Sequence, residues 1–266
     1  MSSETRGALF DLASFDSPFV TAVMPPVVAA AGILATLSPV GFLLTGFHVW
    51  THEFGHASVA WLTGRRALPL PIGWTNIEPN QSALVYVGLP ILFVILGVAG
   101  WRERKVWPVV LSVALLALQT WMTWFVPAAR SHEWEIFGGV GGEFYLAAAM
   151  MGLFFFELPE GFKWGGCRYF FLFIGSGCFY QAYSLWYRIK HGLEDIPYGS
   201  MINGEDDGGG DMNILRDDYG WTQHQIFNTY VHLGNACLIA LLVVYLYFTL
   251  RLDRVFDRVL APILAR

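Results

Sequence analysis

Charge is what this sequence has least of. Only 14% of its 266 residues are Asp, Glu, Lys or Arg, against about a quarter in an ordinary soluble domain, while 55% are hydrophobic and mean hydropathy is +0.47. So little polar surface excludes a domain that faces water all round. Basic runs are missing as well: none is longer than Arg65-Arg66, and with a formal charge of −5 the chain is no nucleic-acid binder. Cysteine is scarce, and Cys167, Cys178 and Cys237 show neither zinc-ribbon nor thioredoxin spacing, so they read as small packing residues. The first 18 residues are polar and acidic and lack the basic start of a cleavable signal peptide. No inverted repeat relates the halves, which argues against a small transporter, although Glu143 and His232 are intramembrane candidates for ion coupling.

What the chain has instead is long apolar runs. The first, residues 18–63, is too long for one span of about 20 residues. Pro39 and Gly41 break it into helices near 19–37 and 40–63, with Pro25-Pro26 kinking the first or delaying its start. The second ends at Gly64, a good residue just past a helix end. Residues 67–81, interrupted by Pro69, Pro71, Gly73 and Pro79, predict a short extended or hairpin-like excursion against the membrane face. Further spans are expected at 82–100, 106–126, 142–157, 168–189 and 225–250. The fold class is therefore all-α and polytopic, with seven membrane helices, or six if the first is only re-entrant, in a single membrane domain covering 1–266. Trp121, Trp124, Trp134, Trp186 and Trp221 fall at predicted span ends, as interfacial aromatics do. Gly138-Gly139-Val140-Gly141-Gly142, just before the fifth span, suits either a close helix approach or a plain loop.

Residues 190–224 form the one long acidic connection, placed by alternation on the same side as the 64–80 excursion. The opposite side holds Arg102, Arg104, Lys105 and a basic tail at 251–266, which makes it cytoplasmic by the positive-inside rule. The localisation expected is a multi-pass protein of a bacterial inner membrane.

One pentapeptide organises the rest. In His52-Glu53-Phe54-Gly55-His56 the two histidines fall on one helix face, a turn apart, with Glu53 beside them. This is the spacing with which zinc peptidases bind Zn²⁺ through both imidazoles and use the Glu as general base. From Ser38 to Trp61 the only other ionisable residue is His48, and no Lys or Arg is near to pair Glu53. Ionisable groups inside a membrane helix are costly and usually functional. The bland alternative is a polar cluster satisfied by neighbouring helices.

A catalytic zinc usually takes three protein ligands, so a third must come from elsewhere. The candidates are His48, His132, Asp206, Asp207, Asp211, His224 and His232. His48 shares the helix of His52 and suits an outer or packing role. His132, with Glu133, is expected in a short loop. His232, with Asn228 and Asn235, forms a polar stripe expected to face the bundle interior. Asp211 is the choice: it follows three glycines and opens the helix-like run Met212-Asn213-Ile214-Leu215, where it would act as an N-cap.

The motif His52-Glu53-Phe54-Gly55-His56-Ala57, followed by Leu62-Thr63-Gly64 and a Pro/Gly-rich excursion, resembles the site-2 protease family of intramembrane zinc metalloproteases, closest to its compact M50B-like branch. Gly88-Leu89-Pro90 is similar to the Gly-Pro turn that opens a later span there, and Gly210-Asp211 with Gly220-Trp221 to its distal Asp segment. The Asn-x-x-Pro-x-x-x-x-Asp-Gly string of better-known members is missing, and Asp207-Gly208-Gly209, a fragment of it, keeps Asp207 as the alternative ligand. Nothing resembles a PDZ-type recognition module. The resemblance implies cleavage of a membrane-protein substrate in or beside the lipid bilayer, with Zn²⁺ held by His52, His56 and Asp211 and Glu53 as the base. The alternative expectation is a non-catalytic structural or regulatory subunit of a membrane complex that keeps the fold.

Overall fold

The computed structural model describes residues 11–160, 166–199 and 208–252. Among them are eight α-helices and one β-hairpin: α1 (Pro18–Thr36), α2 (Gly41–Leu62), β1 (Arg65–Leu70), β2 (Trp74–Gln81), α3 (Ala83–Arg102), α4 (Val106–Trp124), α5 (Ala128–Gly152), α6 (Cys167–Lys190), α7 (Asp211–Asp217) and α8 (Gln223–Thr249). Five of these, α1, α3, α4, α5 (with the 3₁₀ turn Leu153–Phe155 that extends it) and α8, are long and apolar enough to cross a membrane, which makes the chain a multi-pass membrane protein. The other two long helices also bury polar side chains: Thr51, Glu53 and His56 on α2, Arg168 and Ser176 on α6.

Local sequence explains the ends. Ser17 caps α1 by accepting from the Val20 N–H (3.3 Å), and the helix starts at Pro18, whose missing N–H would have been unpaired anyway. It then runs through Pro25 and Pro26. Past α2, Gly64 takes φ +85°, the left-handed turn that ends the helix and starts the hairpin. Thr222 and Gln225 form a reciprocal capping box on α8.

The expected excursion is an antiparallel hairpin, paired from Leu70↔Trp74 to Arg65↔Gln81 with an irregularity between Arg65 and Ala67. It folds back along α2: Trp61 Nε1 donates to the Ala67 carbonyl (3.1 Å), and Thr75 reaches Glu53, more than two turns below the helix end.

Several expectations need correcting. The helix expected at 142–157 begins at Ala128, so the glycine run and His132-Glu133 lie inside α5 rather than in a loop. The reason is packing. A Cβ on Gly55 would overlap the Gly138 carbonyl, and one on Gly142 would overlap the Gly55 Cα, so α2 and α5 cross backbone to backbone. Likewise Gly88 and Pro90 sit within α3 and open no turn, and Trp186 is 1% exposed in the main core, not interfacial.

Polar contacts sort the two ends of the bundle. At one end Arg168 donates to the Leu12 and Ser14 carbonyls, Arg251 to the Asp16 carbonyl, and Lys105 to the Leu158 carbonyl. At the other, Gln81 Nε2 donates to the Thr63 and Thr123 carbonyls, and Trp221 Nε1 to Glu133. Between Ser17 and Gly64 the chain therefore passes from the first end to the second over two helices. Helix α1 crosses α6 obliquely and so advances little along it. Val20 lies in one apolar cluster with Leu172, yet Gly32, about 18 Å further along the helix, still packs on Phe173 and Ser176.

Candidate metal centre

Helix α2 turns His52 and His56 toward α5, and α5 fixes both rings from behind. His56 Nδ1 donates to the Glu135 carbonyl at 2.7 Å, and His52 Nδ1 donates to Glu143 Oε1 at 2.7 Å. A carbonyl and a carboxylate only accept, so these partners place the proton on Nδ1 and the lone pair on Nε2 of each ring. The two Nε2 atoms then face each other across 3.1 Å. Two facing lone pairs repel unless a cation sits between them.

Asp211 completes the set. Its Oδ2 lies 3.1 Å from His52 Nε2 and 3.2 Å from His56 Nε2, is buried and accepts no hydrogen bond. The three atoms form a nearly equilateral triangle, and ligands about 2.0–2.1 Å from a tetrahedral zinc stand roughly 3.3 Å apart. Gly139 of α5 lies over this triangle, and a Cβ there would press on both Nε2 atoms, so the missing side chain keeps the space beside them clear. Two imidazoles and one carboxylate within reach of one point form a donor set that could hold a divalent metal ion.

The acid arrives on the short helix α7, tied down on several sides. Gly210 packs directly on the Gly199 backbone, and Asn213 Oδ1 accepts from Gly199 N (2.7 Å). Met212 and Leu215 are buried in the main core. Past the helix, Trp221 Nε1 donates to Glu133 Oε1 (2.8 Å), and the Tyr219 hydroxyl meets His132 Nδ1 at 2.5 Å. Asp211 is not the N-cap expected from the sequence. Gly210 holds that position, and Asp211, one residue on, makes no capping bond and points its carboxylate at the histidines.

Glu53 is buried beside this centre, and no cation pairs with it among the described residues. Its carboxylate is held by Thr75 of β2, whose hydroxyl lies 2.5 Å from Oε2 and 3.0 Å from the Glu53 carbonyl. Behind it the buried ion pair Arg65–Glu135 joins β1 to the α5 turn whose carbonyl holds His56.

The other candidates lie elsewhere. His132 is occupied with Tyr219, and His224 with Asn228. His232 and Asn235 are exposed, because α8 buries Ile226, Tyr230, Val231 and Gly234 instead. His48 takes an outer role, with Nε2 3.1 Å from Glu143 Oε2. Asp206 and Asp207 fall outside the described residues. A cavity of about 430 Å³ opens beside His48, with Tyr180, Gln181, Ser184 and Arg188 on its wall, and none of the three ligands lines it.

Sequence reasoning singled out Glu143 for ion coupling and not as the support of His52, and it missed Glu135 and Thr75. A signal for the supporting role of Glu143 existed: two metal-binding imidazoles each need an acceptor for the second nitrogen, and Glu143 is an acid within a span with no basic residue beside it in sequence. No protein-family model matches the chain, and neither a curated protein nor a solved structure does.

Proposed function

We propose that this chain is an intramembrane zinc metalloprotease of the site-2 protease type, hydrolysing a peptide bond in or beside a transmembrane segment of a membrane protein. The observation that carries the reading is the triangle of His52 Nε2, His56 Nε2 and Asp211 Oδ2, with both rings proton-fixed from behind. Bound there, zinc supplies Lewis acidity: it polarises the scissile carbonyl and brings the pKa of a water to about 7. The residues do the rest. Glu53 takes the proton of the attacking water and passes it to the leaving amine. Glu143 and the Glu135 carbonyl keep the imidazole lone pairs aimed at one point. A membrane helix hides its amides in its own hydrogen bonds, so the substrate must be locally extended, and pairing with the hairpin edge is one way to hold it so.

In this reading the chain crosses the membrane six times, with α1 and α2 together making one crossing and α3, α4, α5, α6 and α8 one each. The end bearing Arg102, Arg104 and Lys105 is cytoplasmic by the positive-inside rule, and the hairpin end is the outer face of an inner membrane.

The test is elemental mass spectrometry of detergent-purified protein, with a transmembrane reporter substrate in parallel. The wild type is expected to hold about one zinc per chain. His56→Ala and Asp211→Ala are expected to lose it, while Glu53→Gln keeps zinc and loses cleavage. Cleavage surviving in Glu53→Gln removes the mechanism. A wild type without zinc moves the reading to a non-catalytic membrane subunit.

A further inference from the structure

The hairpin reaches the reactive centre at the base, through Thr75 of β2. Thr75 Oγ1 lies 2.5 Å from Glu53 Oε2, within the 2.5–2.7 Å range of a hydroxyl donating to an ionised carboxylate. It is the only side chain bonded to the Glu53 carboxylate among the described residues. One carboxylate oxygen is thereby fixed, and the other is left for a water.

Thr75 is not what keeps the hairpin in place. The Arg65–Glu135 pair, Trp61 Nε1 on the Ala67 carbonyl (3.1 Å), and Gln81 Nε2 on the Thr63 and Thr123 carbonyls (3.1 and 2.9 Å) anchor it. The hydroxyl is thus free to serve geometry. Glu53 ends a side chain with three rotatable bonds, and without a partner its carboxylate would sample several rotamers.

We propose that Thr75 is the positioning residue of the base, and that through it the hairpin sets the angle at which Glu53 meets the attacking water. This rests on the protease reading above. Misplacing a catalytic group by about an ångström costs on the order of 100-fold, so the hydroxyl's loss is expected to lower turnover by about 10–100-fold.

The experiment compares Thr75→Val, which keeps the shape and removes the hydroxyl, with Thr75→Ser, which keeps the hydroxyl. For the full chain in detergent, kcat and KM on a transmembrane reporter, zinc content and thermal melting are measured. The expected result is a fall in kcat for Thr75→Val with KM and zinc unchanged, and recovery of most of kcat in Thr75→Ser. Unchanged kcat in Thr75→Val overturns the proposal, as does a loss that Thr75→Ser fails to repair. A double-mutant cycle with Glu53→Ala, read in Tm, decides the contact without any activity. If Thr75 bonds the Glu53 carboxylate, the Tm drop caused by Thr75→Val shrinks in the Glu53→Ala background, where only the backbone carbonyl is left to accept from the hydroxyl. An unchanged drop overturns the proposal. A wild type that cleaves nothing defeats the protease reading alone, and the cycle still decides whether Thr75 holds Glu53.

Discussion

Helices α3 and α5 flank α4 in the chain and sit in opposite environments. In the most apolar 18-residue stretch of α3 only 6% of residues are buried, whereas in that of α5 44% are. The more apolar helix faces outward, and the one with Ser131, Glu133, Glu135, Glu143 and four glycines in a row of five is the centre of the bundle. In water the apolar helix would be the inner one. Lipid rewards an apolar exterior, so the interior is where polar groups and small residues can be satisfied and packed. The candidate metal centre lies against α5 for that reason.

Glycine tests this contrast most severely. Gly142→Leu is expected to abolish folding, because its side chain would enter the Gly55 backbone, which has no flexible atoms to move. Gly88→Leu on α3 meets open space and is expected to stay within about 0.5 kcal/mol of wild type. Size-exclusion profiles and melting curves of the two variants check this, and equal recovery would break the comparison.

The next effect in size concerns charge. Glu135→Ala leaves the half-buried Arg65 without its carboxylate partner, at an expected cost of about 2–3 kcal/mol. Glu78→Ala, which removes the partner of Arg66 on the exposed face of the same hairpin, is expected to cost less than about 1 kcal/mol. Denaturant or thermal unfolding of the pair reads the difference, and similar costs would mean that the α5 pair is not shielded from solvent.

The smallest effect sharpens the role of α5 in holding metal. Glu143→Gln keeps the shape but weakens the acceptor behind His52, and zinc affinity is expected to fall about 10–100-fold while the fold persists. Competition against a chelator measures it. Unchanged affinity would mean that Glu143 does not orient the ring.

The same contrast explains what can be read from the sequence. Local chemistry is legible: the His-Glu-x-x-His face, the Gly64 turn and the helix opening at Asp211 follow from neighbours in the chain. The glycine run of α5 is ambiguous because Gly breaks helices in water and joins them in lipid, and only knowledge of Gly55 across the crossing decides between the two. The polar stripe of His232 and Asn235 misleads in the opposite sense, since α8 buries its aromatic and aliphatic face and shows that stripe outward. Asp211 is found for a partly different reason from the one that operates. A capping carboxylate would be spent on its own backbone, and here one step past the cap leaves it available to the histidines. Glu143, Glu135 and Thr75 are long-range partners: Glu143 is marked only as an acid within a span, and nothing local marks the other two.

The third donor comes from a stretch far along the chain from the first two. During synthesis His52 and His56 enter the membrane early, while Asp211 leaves the ribosome only after α3, α4, α5 and α6 have been made. The nascent protein thus passes most of its assembly with only two of the three candidate donors in place. The third joins them only once α7 docks with Trp221 against Glu133 of α5. Order of manufacture thereby acts as a safety catch, keeping the centre incomplete until the bundle around it is nearly finished.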